Sequence, residues 1–276
     1  MTPSPRLFAG VAAAALTFGS LVAAAPASAA HTGPTIHPGV QTYTAGAQCT
    51  ANFVFTDRTD TYIGQAAHCS GTGGSTETNG CRAKSLPLGT KVTVDGATRP
   101  ATMVYNSWLT MRARGEKDAN ACAYNDFALL RLDRADARRV SPSIPVLGGP
   151  TGINTAGTRF GASVYSYGNS SLRFGISRLS PKEGLSLGTS GGGWMHAVYT
   201  ATPGIPGDSG SPFVDAQGRA LGVLSTLAIA PVAGSNNVSD LGRALAYANN
   251  KGGVKVQLKR GGTFRGGGSI LRGLLG

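Results

Sequence analysis

Residues 204–212 read GIPGDSGSP, and the run behind them, FVDAQGRALGVLSTL at 213–227, reads as strand, turn, strand. A lone serine, Ser209, is thus set between an acid and a glycine, just ahead of an apolar strand. A serine hydroxyl is a weak nucleophile until a neighbouring base takes its proton. The stretch therefore asks whether the chain also supplies a base, an acid to orient it, and N–H groups for a developing oxyanion.

Four histidines are available as the base. His31 and His37 lie in a polar, turn-rich segment, and His196 sits inside the strand-like WMHAVYT, where a packed histidine is the plain reading. His68, in GQAAHCSG, ends an apolar strand beside Cys69, where a disulfide would hold it still. Among the 13 acids, Asp126 opens the apolar run DFALLRL, where a carboxylate is costly unless it is paired. The order His, Asp, Ser excludes an α/β-hydrolase, whose order is Ser, acid, His. That fold also needs glycine two residues after the nucleophile, and the residue there is Ser211.

The rest of the chain sets the context. Glycine is abundant at 41 of 276 residues while charged residues are only 14%, which favours short strands and tight turns over long salt-bridged helices. Arg6, the apolar run LFAGVAAAALTFGSLVAAA and the small residues Ala27, Ser28 and Ala29 read as a secretory signal over 1–29 with cleavage near Ala30, so the protein is expected to be secreted. No stop-transfer charges follow, which argues against a membrane anchor. An N-terminal segment is expected over 30–44. Without Arg6, 24 bases stand against 13 acids, a net charge of +11. Beyond Asp240 there is no acid, yet Arg243, Lys251, Lys255, Lys259, Arg260, Arg265 and Arg272 all fall there. A basic, glycine-rich tail over 251–276 is expected, suited to an anionic cell-envelope surface and lacking any module that reads nucleic acid.

Cys49, Cys69, Cys81 and Cys122 fit two disulfides in an oxidising compartment, with three pairings open. No CxxC pair occurs, so no metal site is expected, and nothing calls for a cofactor. Strand-like runs fall in two sets: ANFVF, YIGQAA, KVTVDG, ATMVY and DFALLRL, then FGASVYSY, LRFGISRL, WMHAVYTA, SPFVDA and ALGVLSTL. SPSIPVLGGPTGINTAG at 141–157 separates them as a linker, and SDLGRALAYANN reads as the sole helix, with Ser239 as its N-cap. The expectation is an all-β chain with one small antiparallel barrel over 45–140, holding His68 and Asp126. A second barrel and the C-terminal helix, over 158–250, hold Ser209.

AAHC around His68, NDFALL around Asp126 and GDSGSP around Ser209, in that order, resemble the chymotrypsin-like serine proteases, and the alanine-rich signal suggests a secreted actinobacterial member. The resemblance implies two six-stranded antiparallel barrels and an endopeptidase that works as a monomer on protein or peptide substrates. It also implies Ser209 as nucleophile, His68 as general acid and base, Asp126 as its orienting acid, and an oxyanion hole from the N–H groups of Gly207 and Ser209. It implies a Cys49–Cys69 disulfide, which leaves Cys81 to Cys122.

Departures from the family bear on activation and specificity. No IVGG-like sequence follows the signal, and the V-x-R-x-G motif of many bacterial members is here VYSYG, with Ser166 in the arginine's place. The partner of Asp208 is left open among Arg173, Arg178, the Tyr165 or Tyr167 hydroxyl and the mature amine. The pocket floor carries Pro203 where trypsin-like members carry an acid, and Ser225, Thr226 and Leu227 form the run that walls the pocket, with Thr226 and Leu227 replacing smaller residues. Small or apolar residues before the cut are expected. An envelope-associated binding protein that keeps the fold without general proteolysis is the alternative.

Overall fold

A computed structural model describes residues 35–73, 78–228 and 233–266. The signal, residues 30–34 and residues 267–276 lie outside this range. In the first half the strands are β1 (Gln41–Thr44), β2 (Ala47–Thr50), β3 (Val54–Thr56), β4 (Thr61–Gln65), β5 (Lys91–Val94), β6 (Ala101–Asn106) and β7 (Ala128–Arg131). In the second they are β8 (Ser163–Tyr167), β9 (Pro181–Ser190), β10 (Met195–Thr200), β11 (Pro212–Asp215), β12 (Ala220–Ala228) and β13 (Ser235–Asp240), and a short β14 (Gln257–Leu258) follows near the end.

Strands β8 to β13 close into a six-stranded antiparallel barrel in the order β10-β13-β12-β11-β8-β9. Its interior is packed with Val164, Val198, Phe213, Leu221, Leu224 and Val238, the inward members of alternating strands. The first half departs from the expected second barrel of six. It is an eight-stranded sheet, β14-β3-β4-β7-β6-β5-β1-β2. The β1–β2 hairpin, outside the expected start at 45 in part, extends one end, and β14 arrives from the far C-terminus to pair with β3 at the other.

The chain is also less purely β than expected. Besides the C-terminal helix α3 (Leu241–Lys251), helices α1 (Ser107–Arg114) and α2 (Ala119–Tyr124) lie between β6 and β7. Each is set by a cap that the strand-focused reading passed over. Asn106 accepts from the N–H groups of Trp108 and Leu109, Asp118 from those of Asn120 and Ala121, and Gly115 closes α1 in the left-handed conformation. In α3 the N-cap is Asp240, which accepts from Arg243 N at 2.7 Å, rather than Ser239. Its buried Leu241, Ala244, Leu245 and Ala248 follow the i, i+3, i+4, i+7 spacing of one helix face.

That face joins Phe53, Phe55, Tyr105 and Phe127 of the first half to Tyr165, Val214 and Val223 of the second in one shared core. The two halves are thus welded by apolar burial. The disulfides are Cys49–Cys69 and Cys81–Cys122. Among the described residues no helix is long and apolar enough to cross a membrane.

The segment read as a basic tail from 251 is built into the fold as far as residue 266. Besides the β14 pairing, Gly149 N–H donates to Gly262 O at 2.9 Å. The Phe264 ring meets Tyr165 edge-on at 5.6 Å. A Cβ at Gly218, which has φ +72°, would lie 2.3 Å from Phe264 Cγ, so that glycine leaves the space the ring fills. Phe264→Ala is expected to cost about 2 kcal/mol, the discount of a half-buried ring from a full core deletion, read as a lower denaturant midpoint at unchanged slope. An unchanged midpoint would mean that the C-terminal strap adds nothing to the fold.

Candidate active site

His68 lies in a short 3-10 helix, Ala67–Ser70, directly after β4. Asn106 Nδ2 donates to Ala67 O at 3.1 Å, Gly71 N–H to His68 O at 2.8 Å, and the bond to Cys49 fixes the next residue. Asp126 stands between α2 and β7. The second disulfide ends in α2, four residues earlier, at Cys122.

The Asp126 carboxylate is buried, at 3% exposure, and densely bonded. Its Oδ1 accepts from the His68 backbone N–H at 2.9 Å. Its Oδ2 lies 2.6 Å from His68 Nδ1 and accepts from Ser225 Oγ at 2.6 Å. A carboxylate accepts, so the neutral ring carries its proton on Nδ1 and leaves the Nε2 lone pair free. Burial alone would raise the Asp126 pKa, but the facing His68 charge and these hydrogen bonds outweigh it and hold the pKa below the ordinary value. Burial pushes His68 down while the Asp126 charge and hydrogen bond push it up, and the second effect prevails.

Ser209 is held by backbone bonds to both halves. Its carbonyl accepts from Thr50 N–H at 2.8 Å, one residue from the Cys49 bridge to Cys69. Gly210 N–H donates to Leu224 O at 2.7 Å, beside the Ser225 that bonds Asp126. Gly210 has φ +89°, and a Cβ there would lie 2.4 Å from Thr50 O, so the turn can be this tight only with glycine. Ser211 Oγ closes the turn on Asp208 O at 2.5 Å. These bonds bring the turn that carries Ser209 against the elements that carry His68 and Asp126.

Gly207 has φ +94°, and its carbonyl accepts from Thr50 Oγ1 at 2.8 Å and Gln48 Nε2 at 3.0 Å. The preceding carbonyl, Pro206 O, accepts from Ser170 Oγ at 2.5 Å. A trans peptide sets C=O and N–H on opposite sides, so this bond turns the Gly207 N–H away from Ser170. Gln48, Thr50 and Ser170 carry no motif in the sequence; only the fold brings them here.

The partners of Asp208 are now visible. Arg173 Nη2 bonds its Oδ2, and Lys182 Nζ lies 3.2 Å from the same oxygen. Arg173 was among the candidates and Lys182 was not; Arg178, Tyr165 and Tyr167 do not appear among the carboxylate's partners in the described residues, and the mature amine lies outside them. Burial lowers the Lys182 pKa, opposed by the Asp208 charge.

At the expected pocket, Pro203 O accepts from Lys182 Nζ at 3.1 Å. Gly204 N–H donates to Asn236 Oδ1 at 2.8 Å, and a Cβ at Gly204 would lie 2.9 Å from Leu224 Cδ2 and 3.6 Å from Leu227 Cδ2. Leu227 is half exposed and leans toward the Gly204 wall, whereas Thr226 Oγ1 accepts from Asn237 Nδ2 at 3.1 Å across the strands. The Ser225 side chain is engaged with Asp126. His196 is fully buried on β10, with Nε2 at 2.9 Å from Asp240 Oδ2 and Nδ1 at 2.9 Å from Thr189 Oγ1, as a packed strand histidine should be. Cys49, His68 and Cys69 lie close together, but both cysteines are in the disulfide and cannot ligate a metal as thiolates.

The trypsin-like peptidase domain family matches residues 49–223, a span that holds His68, Asp126 and Ser209. The chain belongs to the trypsin-like peptidases. As such it is a serine endopeptidase, a hydrolase. The fold of this trypsin-like peptidase is similar to that of Thermobifida fusca Protease A, at 18% identity over 81% of this chain and 97% of that one, with a TM-score of 0.50. It is likewise similar to a glutamic acid-specific serine protease described as using a histidine triad in substrate binding, at 19% identity over 81% and 100% of the two chains, with a TM-score of 0.50. At these identities the likeness is one of fold. No curated protein matches the chain.

A histidine base held by a buried carboxylate, as His68 is held by Asp126, is expected to give hydrolysis that rises with pH through a midpoint above the ~6.5 of a free histidine. The pH dependence of kcat/KM checks this, and a flat profile from about pH 5 to 8 would contradict a histidine base.

Proposed function

We propose that this peptidase hydrolyses peptide bonds through Ser209, His68 and Asp126, with an acyl-enzyme on Ser209. The observation that carries the reading is the buried Asp126 carboxylate, bonded at 2.6 Å both to His68 Nδ1 and to Ser225 of the opposite half. That leaves Nε2 to take the proton of Ser209 Oγ as the oxygen attacks the substrate carbonyl, and to return it to the departing amine. Asp126 stabilises the imidazolium while it exists. The N–H groups of Gly207 and Ser209 receive the oxyanion, and water then releases the acyl group by the same steps.

For the residue before the cut we propose small side chains. Pro203 supplies no charge to meet a basic side chain, and Leu224 and Leu227 approach Gly204 from the facing wall. The substrates are proteins or peptides, met outside the cell. Export rests on the signal reading of 1–29 together with two disulfides, and the cations from Arg243 onward favour anionic surfaces.

Ser209→Ala should lower kcat by ~10⁴-fold or more at unchanged folding, measured on chromogenic peptides. Retained hydrolysis would put the nucleophile elsewhere. A peptide panel varied only before the cut should favour Ala or Val over Phe. Leu227→Gly, which removes a whole isobutyl side chain, should raise kcat/KM for Phe and Leu relative to Ala by at least the roughly 1–3 kcal/mol that one methylene carries in such a pocket. A parent enzyme that already prefers Phe, Arg or Glu would overturn the pocket assignment while leaving the triad standing.

A further inference from the structure

Asp208 immediately precedes Ser209 and is fully buried, as is Lys182, while Arg173 is nearly so. An ionised carboxylate offers about four acceptor positions. Here Oδ1 accepts from Ser170 N–H at 3.1 Å, while Oδ2 takes Ile205 N–H at 3.2 Å, Arg173 Nη2 and Lys182 Nζ at 3.2 Å. Three of these four donors converge on Oδ2, and the two cations among them already supply the counter-charge that a free amino terminus would bring. Lys182 is itself fully partnered. Its three protons face Asp208 Oδ2, Thr202 O at 3.1 Å and Pro203 O at 3.1 Å, so none is left over for a substrate carboxylate.

The two cations reach the acid from different elements. Lys182 comes from β9, and Arg173 ends a short 3-10 helix, Ser171–Arg173, in the β8–β9 connection. The space is closed as well as charged: a Cβ at Gly168 would lie 2.5 Å from Asp208 Oδ1 and 2.8 Å from Lys182 Cε.

We propose that Arg173 and Lys182 are positioning residues that hold the nucleophile turn in its working geometry without a terminal amine, and that Lys182 also ties the pocket floor at Thr202 and Pro203 to Asp208. The inference rests on Ser209 as nucleophile. One buried ammonium then fixes two things at once, the acid next to Ser209 and the carbonyls at the base of the specificity pocket. Removing its charge leaves both the floor and the turn short of a partner. It leaves His68 and Asp126 untouched.

The test is the burst of nitrophenol from a p-nitrophenyl ester, which reads acylation of the serine directly, on the full chain with and without a retained N-terminal extension. Equal acylation rates with and without the extension are expected. A rate that falls tenfold or more when the terminus is extended would overturn the amine-free assignment. Lys182→Met should slow acylation about 10- to 100-fold, the cost of a misplacement near 1 Å, and raise KM as well as lower kcat, with the circular dichroism spectrum kept. Parent-like acylation in folded Lys182→Met would overturn the role of Lys182. Should that variant fail to fold, Arg173→Lys is read instead: it keeps the charge and loses the fork, so slower acylation supports the clamp and an unchanged rate overturns it. Ser209→Ala is run alongside; a burst that survives there would overturn the nucleophile and not the clamp.

Discussion

The structure turns on one carboxylate removed from water. Burying Asp126 costs several kcal/mol unless its oxygens are satisfied, and the partners that satisfy it come from both halves of the chain. His68 provides its backbone N–H and its ring from the first half, and Ser225 its hydroxyl from β12 of the second. The Asp126 N–H in turn donates to Ser239 Oγ of β13 at 3.3 Å. Asp126, bonded to His68 and to both halves, therefore also locks the two halves in register. A loose interface would leave the charge unpaired, and that penalty selects the aligned state.

The turn that carries Ser209 is organised by the same cross-half logic. Thr50 N–H bonds Ser209 O while Thr50 Oγ1 and Gln48 bond Gly207 O. Behind that turn sits a second buried acid, Asp208, with cations from the β8–β9 connection and from β9. One carboxylate holds the His68 ring, and the other ties the turn beside Ser209 to Arg173 and Lys182. Both are buried, where electrostatic interactions are stronger than in water.

Much of the proposed site was legible because its residues sit in short local motifs. AAHC, NDFALL and GDSGSP carry their residues in short motifs, and the disulfide partners followed from the family likeness. What escaped notice depends on distant contacts. LRFGISRL alternates Leu172, Phe174 and Ile176 with other residues and so reads as a strand. The structure instead turns Arg173 inward, to 8% exposure, and leaves Phe174 at 87%. Pairing with Asp208 outweighs the burial of three apolar side chains, and no period-two pattern can announce that. Lys182 lies 26 residues before Asp208 and looks like an ordinary strand lysine until β9 folds under the pocket floor. Helices α1 and α2 are too short for periodicity, and only their caps mark them. The eight-stranded sheet depends on β14, a two-residue strand in a glycine-rich stretch that gains its partner from the other end of the chain.

The central claim is that a single serine, activated by the His68–Asp126 pair, carries the chemistry. Its most direct test is to treat the protein with a fluorophosphonate and locate the adduct by peptide mass mapping. One adduct per chain on the peptide that holds Ser209, absent when His68 is replaced by Ala, is the predicted result. An adduct on another residue, or none on folded protein, would contradict the account.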